Sequence, residues 1–288
     1  MSQTLVARSN AAAASPAAMQ LEQSIRADIA AGKLKLPVLP NVAMEVLSSS
    51  LDDSADAARL AGLIQQDQAL ATHVLRVVNS PAFRGSAEIV ALQQAIARLG
   101  MVRIREIALT ASLKNAMSSK GSFTELMDEA WKQGLSAGLW SKEVARATRR
   151  NVEQAYLCGL LHNIGQSLVA VDLGKRDPAL PLSDAAYLMQ ALGREAGIAL
   201  VNEWQLPPAV ATCITHLGTF ATAGDEADEV AVVEVGSGVA LASLSGELNA
   251  GEVLKSLAVQ HLNLYPDDVD ELLANEEFIQ TTLESMVL

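Results

Sequence analysis

The sequence predicts an all-α protein, and three observations carry that prediction. Half of the 288 residues are hydrophobic while only 3% are aromatic. The core must therefore be built from Ala, Leu and Val, and the first two are strong helix formers. Apolar residues recur at helical spacing, as with Leu70, Val74, Leu75 and Val78, which fall at i, i+4, i+5 and i+8. No strand-helix alternation is visible, and no Gly-rich turn of the kind that cradles phosphate. Its length gives the chain ample core for one large domain or two modest ones.

The elements follow in order. Residues 1–18, with an Ala run ahead of Ser15-Pro16, read as a loose tail. Residues 19–31 form a first helix closed by Gly32. Leu36-Pro-Val-Leu-Pro40 enforces extended backbone, because proline restricts itself and the residue before it. Asn41, Ser54 and Asp67 can each cap a short helix, running to about 50, 66 and 79 respectively. Asn79-Ser80-Pro81 stops the last of these. Helices over 89–99 and 101–117 meet at Gly100, and Lys120-Gly-Ser122 reads as a junction. The second half predicts a long helix over 123–149, an apolar helix over 152–171, a loop over 172–181 and a helix over 184–203. Another starts at Pro207-Pro208, where proline suits a first turn. Residues 218–227 are a polar loop. Val230-Ala-Val-Val233 has strand-like composition, but the length of the apolar run over 228–244 favours helix. The tail, 250–287, holds two short amphipathic helices split near Tyr265-Pro266.

Composition narrows the function. A net charge of −12 opposes nonspecific nucleic-acid binding, which depends on Lys and Arg neutralising phosphates. The basic spots at Arg98, Arg103 and Arg105, and at Arg146, Arg149 and Arg150, read as helix-end or solvent-facing charges. No uncharged apolar run is long enough for a membrane span, and residues 1–18 do not resemble a signal peptide. A cytoplasmic location is the expectation. Cys158 and Cys213 lie in apolar contexts and read as small buried hydrophobes rather than a disulfide. Trp131, Trp140 and Trp204 read as core anchors. Asp67 reads as an N-cap, and Glu234 as a solvated or capping carboxylate.

The most informative pair is His162-Asn163, near the end of the apolar run that begins at Glu153. A His-Asp pair there would signal a metal site, since imidazole nitrogen and carboxylate oxygen both ligate divalent ions. Asparagine supplies a neutral oxygen that cancels no metal charge. His162 reads most simply as a helix-end residue with a local hydrogen bond. The sharper readings are a recognition residue in a relic pocket and a metal ligand. His73 reads as packed or surface-lying, His216 as a helix C-terminal histidine favoured by the dipole, and His261 carries no motif.

An ordered set of short motifs carries a family resemblance. Leu36-Pro-Val-Leu-Pro40, Gln65-Gln-Asp67 with Leu70, Val78-Asn-Ser-Pro81 and Ala95-Ile-Ala-Arg-Leu-Gly100 come first. Trp131, Ala155-Tyr-Leu-Cys-Gly-Leu-Leu-His-Asn-Ile-Gly165 and Trp204-Gln-Leu-Pro207 follow. The chain thereby resembles the HDOD family, bacterial signalling modules related to the HD-type metal phosphohydrolases, over roughly residues 25–245. The resemblance implies an HD-like multi-helical domain with an N-terminal helical subdomain. Its divisions would be a disordered tail 1–18, an N-terminal subdomain 19–119, a degenerate HD-like subdomain 120–245 and a C-terminal helical extension 246–288. The hydrolase ligand positions fall on Gln133, on His162 with Asn163, and on Ser237. A further histidine pair is reduced to His216-Leu217. One strong ligand survives, whereas a hydrolytic centre usually needs three. The resemblance therefore implies a pseudoenzyme with no catalytic residue, no bound metal and no cofactor, in which Gln133, His162, Asn163 and Ser237 line a relic pocket. Its partner would be a signalling protein, with no role for nucleic acid or membrane, and self-association is left open. The alternatives are a metal-dependent phosphohydrolase with a rearranged site, and a nucleotide sensor that uses the relic pocket.

Overall fold

The structure, a computed structural model, describes residues 14–48, 54–83, 85, 87–118 and 121–287. The expected tail lies outside these residues up to position 13, and so does Lys120 of the expected junction. Among the described residues every regular element is helical, as the sequence predicts. The chain divides into two compact units, one formed by residues up to 36 with 119–276 and the other by residues 37–118 with 277–288.

The smaller unit holds α2 (Asn41–Ser48), α3 (Ser54–Gln66), α4 (Gln68–Val78), α5 (Leu92–Leu99) and α6 (Met101–Met117). The unit also takes in nearly all of the last helix of the chain, which spans Glu276–Val287. Helix α6 is its centre and touches α2, α3, α4 and α5. Ile104, Ile107, Ala108 and Leu113 of α6 are fully buried. Asp67 caps α4, accepting the Leu70 amide at 3.0 Å. Asn79 does more than stop that helix. Its amide nitrogen donates to the carbonyls of Leu75 (3.0 Å) and Ile89 (2.7 Å), and its amide oxygen accepts the Ile89 N–H at 2.8 Å. That side chain substitutes for backbone pairing across a ten-residue excursion.

The larger unit holds α1 (Pro16–Ala30), α7 (Thr124–Ala147), α8 (Val152–Leu161), α9 (Ile164–Arg176), α10 (Leu182–Glu203), α11 (Pro208–His216) and α12 (Ala227–Ser245). Three short helices follow: α13 (Ala250–Val253), α14 (Leu257–His261) and α15 (Pro266–Leu273). Helix α16 is the terminal helix, Glu276–Val287. Central α7 touches α8, α9, α12 and α15. Trp131, Trp140 and Trp204 are buried, as expected of core anchors. The strand-like run Val230–Val233 is buried inside α12.

Four sequence expectations need correction. Helix α1 begins at Pro16, inside the expected tail, because Ser15 accepts the Ala18 amide at 3.1 Å and donates its hydroxyl to Asp184 at 2.6 Å. It belongs with the larger unit, where Tyr187 donates to Glu22 at 2.7 Å. The helix expected over 152–171 is two helices broken at His162-Asn163. The expected loop from 172 is helical as far as Arg176, whose guanidinium bonds Asp172 one turn back at 2.5 Å and Asp28 at 2.6 Å. The tail beyond 249 forms four helices in place of two.

Candidate functional site

Small residues let the helices around the His162-Asn163 break pack closely. Gly134, Gly138 and Ser141 fall at i, i+4 and i+7 on α7, one face of a helix. A Cβ on Gly138 would stand 3.0 Å from the Tyr156 carbonyl oxygen, and one on Gly159 would stand 2.8 Å from the Ala137 carbonyl oxygen. Helices α7 and α8 thus meet nearly backbone to backbone. On the other side, a Cβ on Gly236 of α12 would fall 2.2 Å from the Ser141 hydroxyl oxygen. Glycine at these positions is a steric requirement.

His162 closes α8. Its Nδ1 lies 2.6 Å from the Gly159 carbonyl oxygen. A carbonyl only accepts, so Nδ1 carries the proton and Nε2 holds the lone pair in the neutral ring. Burial holds its pKa below the ordinary 6.5, against a smaller opposite pull from the Gly159 carbonyl. The Gly159 bond is the local helix-end hydrogen bond that the simplest of the sequence readings expects, and burial favours the neutral ring.

Asn163 is buried and leaves helical geometry at φ −116°, ψ 13°. Its carbonyl accepts the Gln166 N–H at 2.9 Å and so starts α9. Its side-chain nitrogen donates to the Ala130 carbonyl at 2.8 Å. Its side-chain oxygen occupies the space over Gly134, where a Cβ would lie only 2.7 Å away. The Ala130 carbonyl can accept this second bond because an sp² oxygen has two lone pairs, and because Gly134 presents no side chain beside it.

Gln133 precedes Gly134 on α7 and is half-buried. Ser237 sits half-buried on α12, its hydroxyl donating to the Glu234 carbonyl at 3.1 Å. The structure ties Asn163 to the turn of α7 that carries Gln133. Among the described residues no hydrogen bond joins Gln133 or Ser237 to His162 or Asn163. Glu234 is engaged elsewhere, accepting the Gly218 N–H at 2.9 Å, a capping role within the expected range.

A divalent ion of the kind the HD-type hydrolase resemblance implies does not fit this donor set. The matched positions offer an imidazole, two amides and a hydroxyl. No carboxylate is among them, and the Asn163 nitrogen already faces a carbonyl. Among the described residues no three of His, Cys, Asp and Glu are placed to hold a metal ion.

The other histidines are structurally engaged. Arg76 donates to His73 Nδ1 at 2.7 Å, and the His73 pKa is lowered to about 4 by burial first, then by Arg76 and Lys114. His216 ends α11 as expected. Thr222 gives its hydroxyl proton to the Thr219 carbonyl at 2.7 Å and accepts from His216 Nδ1 at 2.8 Å. His261 Nε2 lies 2.6 Å from Asp228, which also pairs with Arg150. Arg103 and Arg146 likewise pair with neighbouring Glu106 and Glu143. Cys158 and Cys213 are free and buried.

Sequence reasoning missed Gly134 and Asn79 as working residues. The spacing of Gly134, Gly138 and Ser141 was the available signal for the first. For the second it was an Asn with a turn, Ser80-Pro81, immediately after it.

The fold and these motifs define an HD-like helical protein. The HDOD domain model matches residues 36–219, and the chain belongs to the HDOD family. It is similar to the structure of a proposed metal-dependent phosphohydrolase from Shewanella amazonensis SB2B, with 22% identity, TM-score 0.71, and 92% of this chain and 99% of that one covered. It is equally similar to an HDOD domain protein of unknown function from Geobacter sulfurreducens, at 20% identity, TM-score 0.71 and coverages of 93% and 99%. These likenesses show the fold. An uncharacterized protein of Treponema pallidum (strain Nichols) is 23% identical over 234 residues, 77% of this chain. The chain spans 45% of the length of that relative. No helix among the described residues is long and apolar enough to cross a membrane.

Proposed function

We propose that this protein is a non-catalytic regulatory module that acts by binding a signalling protein. The observation that carries the reading is the polarity of the matched ligand positions. Asn163 donates where a metal site needs an acceptor, and Gln133 and Ser237 bring no charge. Lowering the pKa of a bound water requires a well-held cation, and three neutral groups with one imidazole do not hold one. What remains is a helical scaffold whose use is recognition. Its similarity to a proposed signal transduction protein of Marinobacter aquaeolei VT8, at 20% identity and TM-score 0.62 over 98% of this chain and 69% of that one, is consistent with this use.

One observation favours a second reading, a phosphohydrolase with a rearranged site. The Nδ1 bond of His162 to Gly159 leaves Nε2 as a lone-pair donor, the tautomer found in metal-bound histidines. The experiment separating the two is affinity capture from the native host, with His162→Ala as a parallel bait. The regulatory reading expects the same stoichiometric partner on both baits. Failure to recover any specific partner under any growth condition contradicts it.

A further inference from the structure

The Asn163 side chain spans one full turn of α7. Its nitrogen lies on the Ala130 carbonyl at 2.8 Å, and its oxygen fills the gap over Gly134. Ala130 and Gly134 are four apart, so the carbonyl concerned is the one that pairs with the Gly134 amide within the helix. Asn163 is also where the α8 geometry ends and α9 begins. The break therefore occurs where a side-chain bond to a neighbouring helix holds it.

The orientation of this amide is fixed by chemistry. Reversing it would place oxygen against carbonyl oxygen at hydrogen-bond distance, with no proton between them. A carboxylate at this position would meet the same conflict, with a full charge added and little solvent to screen it.

We propose that Asn163 is a helix clamp, joining the α8–α9 break to α7 through Ala130 and Gly134, and that its need to donate a proton excludes a carboxylate, and with it a divalent cation, from this site. The proposal reaches beyond the regulatory reading and does not depend on it, since it concerns what a single restored ligand would do. Restoring the acid, Asn163→Asp, does not rebuild a metal centre. It removes the clamp.

The test is thermal unfolding of the full chain as wild type, N163D and N163A at pH 8 and pH 5.5, with and without added Mn²⁺. Only a protonated carboxyl can donate to Ala130, so folding raises the pKa of the carboxyl introduced by N163D above the ordinary 3.9 or so. A group raised in this way contributes its stability below the unfolded pKa and loses it as pH rises through the folded pKa. The expected N163D deficit against wild type is on the order of 5 °C at pH 8 and smaller at pH 5.5. The N163A deficit is of similar size and equal at the two pH values, because alanine does not titrate. Mn²⁺ leaves every melting temperature unchanged. If N163D does not fold at all, the N163A comparison decides. Wild-type stability of N163A or of N163D at pH 8, or a rise in the N163D melting temperature on adding Mn²⁺, overturns the proposal. A wild-type chain without hydrolase activity but with a stable N163D would sink the clamp alone and leave the regulatory reading standing.

Discussion

Gly165 lies directly against Gly193: a Cβ on Gly165 would stand 1.9 Å from the Gly193 carbonyl oxygen and 2.3 Å from the Gly197 nitrogen. Both obstacles are backbone, so neither can rotate aside. The contact fixes the first turn of α9, two residues beyond Asn163, against α10. Gly165→Ala is expected to cost about 3 kcal/mol or more, at the upper end of overpacking. Chemical denaturation measures this, and a midpoint near wild type would contradict it.

Asn79 is expected to be worth more than a helix stop. Alanine there removes three hydrogen bonds of 2.7–3.0 Å. It also strands the Ile89 N–H and C=O. The loss should be about 2–3 kcal/mol. Hydrogen exchange at the Ile89 amide should accelerate in the variant before global exchange does.

His73 makes the smaller unit sensitive to acid. Its folded pKa is about 4, below the ordinary 6.5 or so expected of the unfolded chain. A group depressed in this way contributes full stability above pH 6.5 or so. That contribution is lost as pH falls toward the folded pKa, because the unfolded state binds the proton more readily. The ring is part-exposed, so screening keeps the loss on the order of 1 kcal/mol. NMR titration of the His73 ring should find its midpoint well below 6, and His73→Gln should flatten the stability profile between pH 6.5 and pH 4.5. An ordinary midpoint would sink the prediction.

The cysteines should be silent. Cys158 is 1% exposed. Its thiol is held well above its usual pKa, by hydrogen bonding with Cys213 first and then by burial. Only thiolates react readily, and Cys213 is also 1% exposed, so burial should keep both thiols from reacting with Ellman's reagent until denaturant is added. Rapid labelling of the native chain would contradict this burial.

Much of this was legible in the sequence because it depends on local chemistry. Asp67 caps α4 with a side chain that accepts from an amide three residues on, and the apolar length of 228–244 decides helix against strand without reference to any neighbour. The break at His162-Asn163 was not legible. The run around it is uniformly apolar, and the break is made by Gly159 and by Ala130, the latter 33 residues away. Helix α1 was misplaced for the same reason, since Asp184 lies 169 residues from Ser15. The chemical poverty of the candidate site was readable from Gln133, Asn163 and Ser237 as residue types. The role of Asn163 required the distance to Ala130.

An HD-like scaffold that works without a metal centre, as proposed, is tested most directly by elemental analysis of the purified wild-type chain. Phosphomonoesterase and phosphodiesterase assays on the same preparation complete the measurement. The expected result is no stoichiometric transition metal and no turnover that His162→Ala alters. About one metal ion per chain, with turnover abolished by His162→Ala, would contradict it.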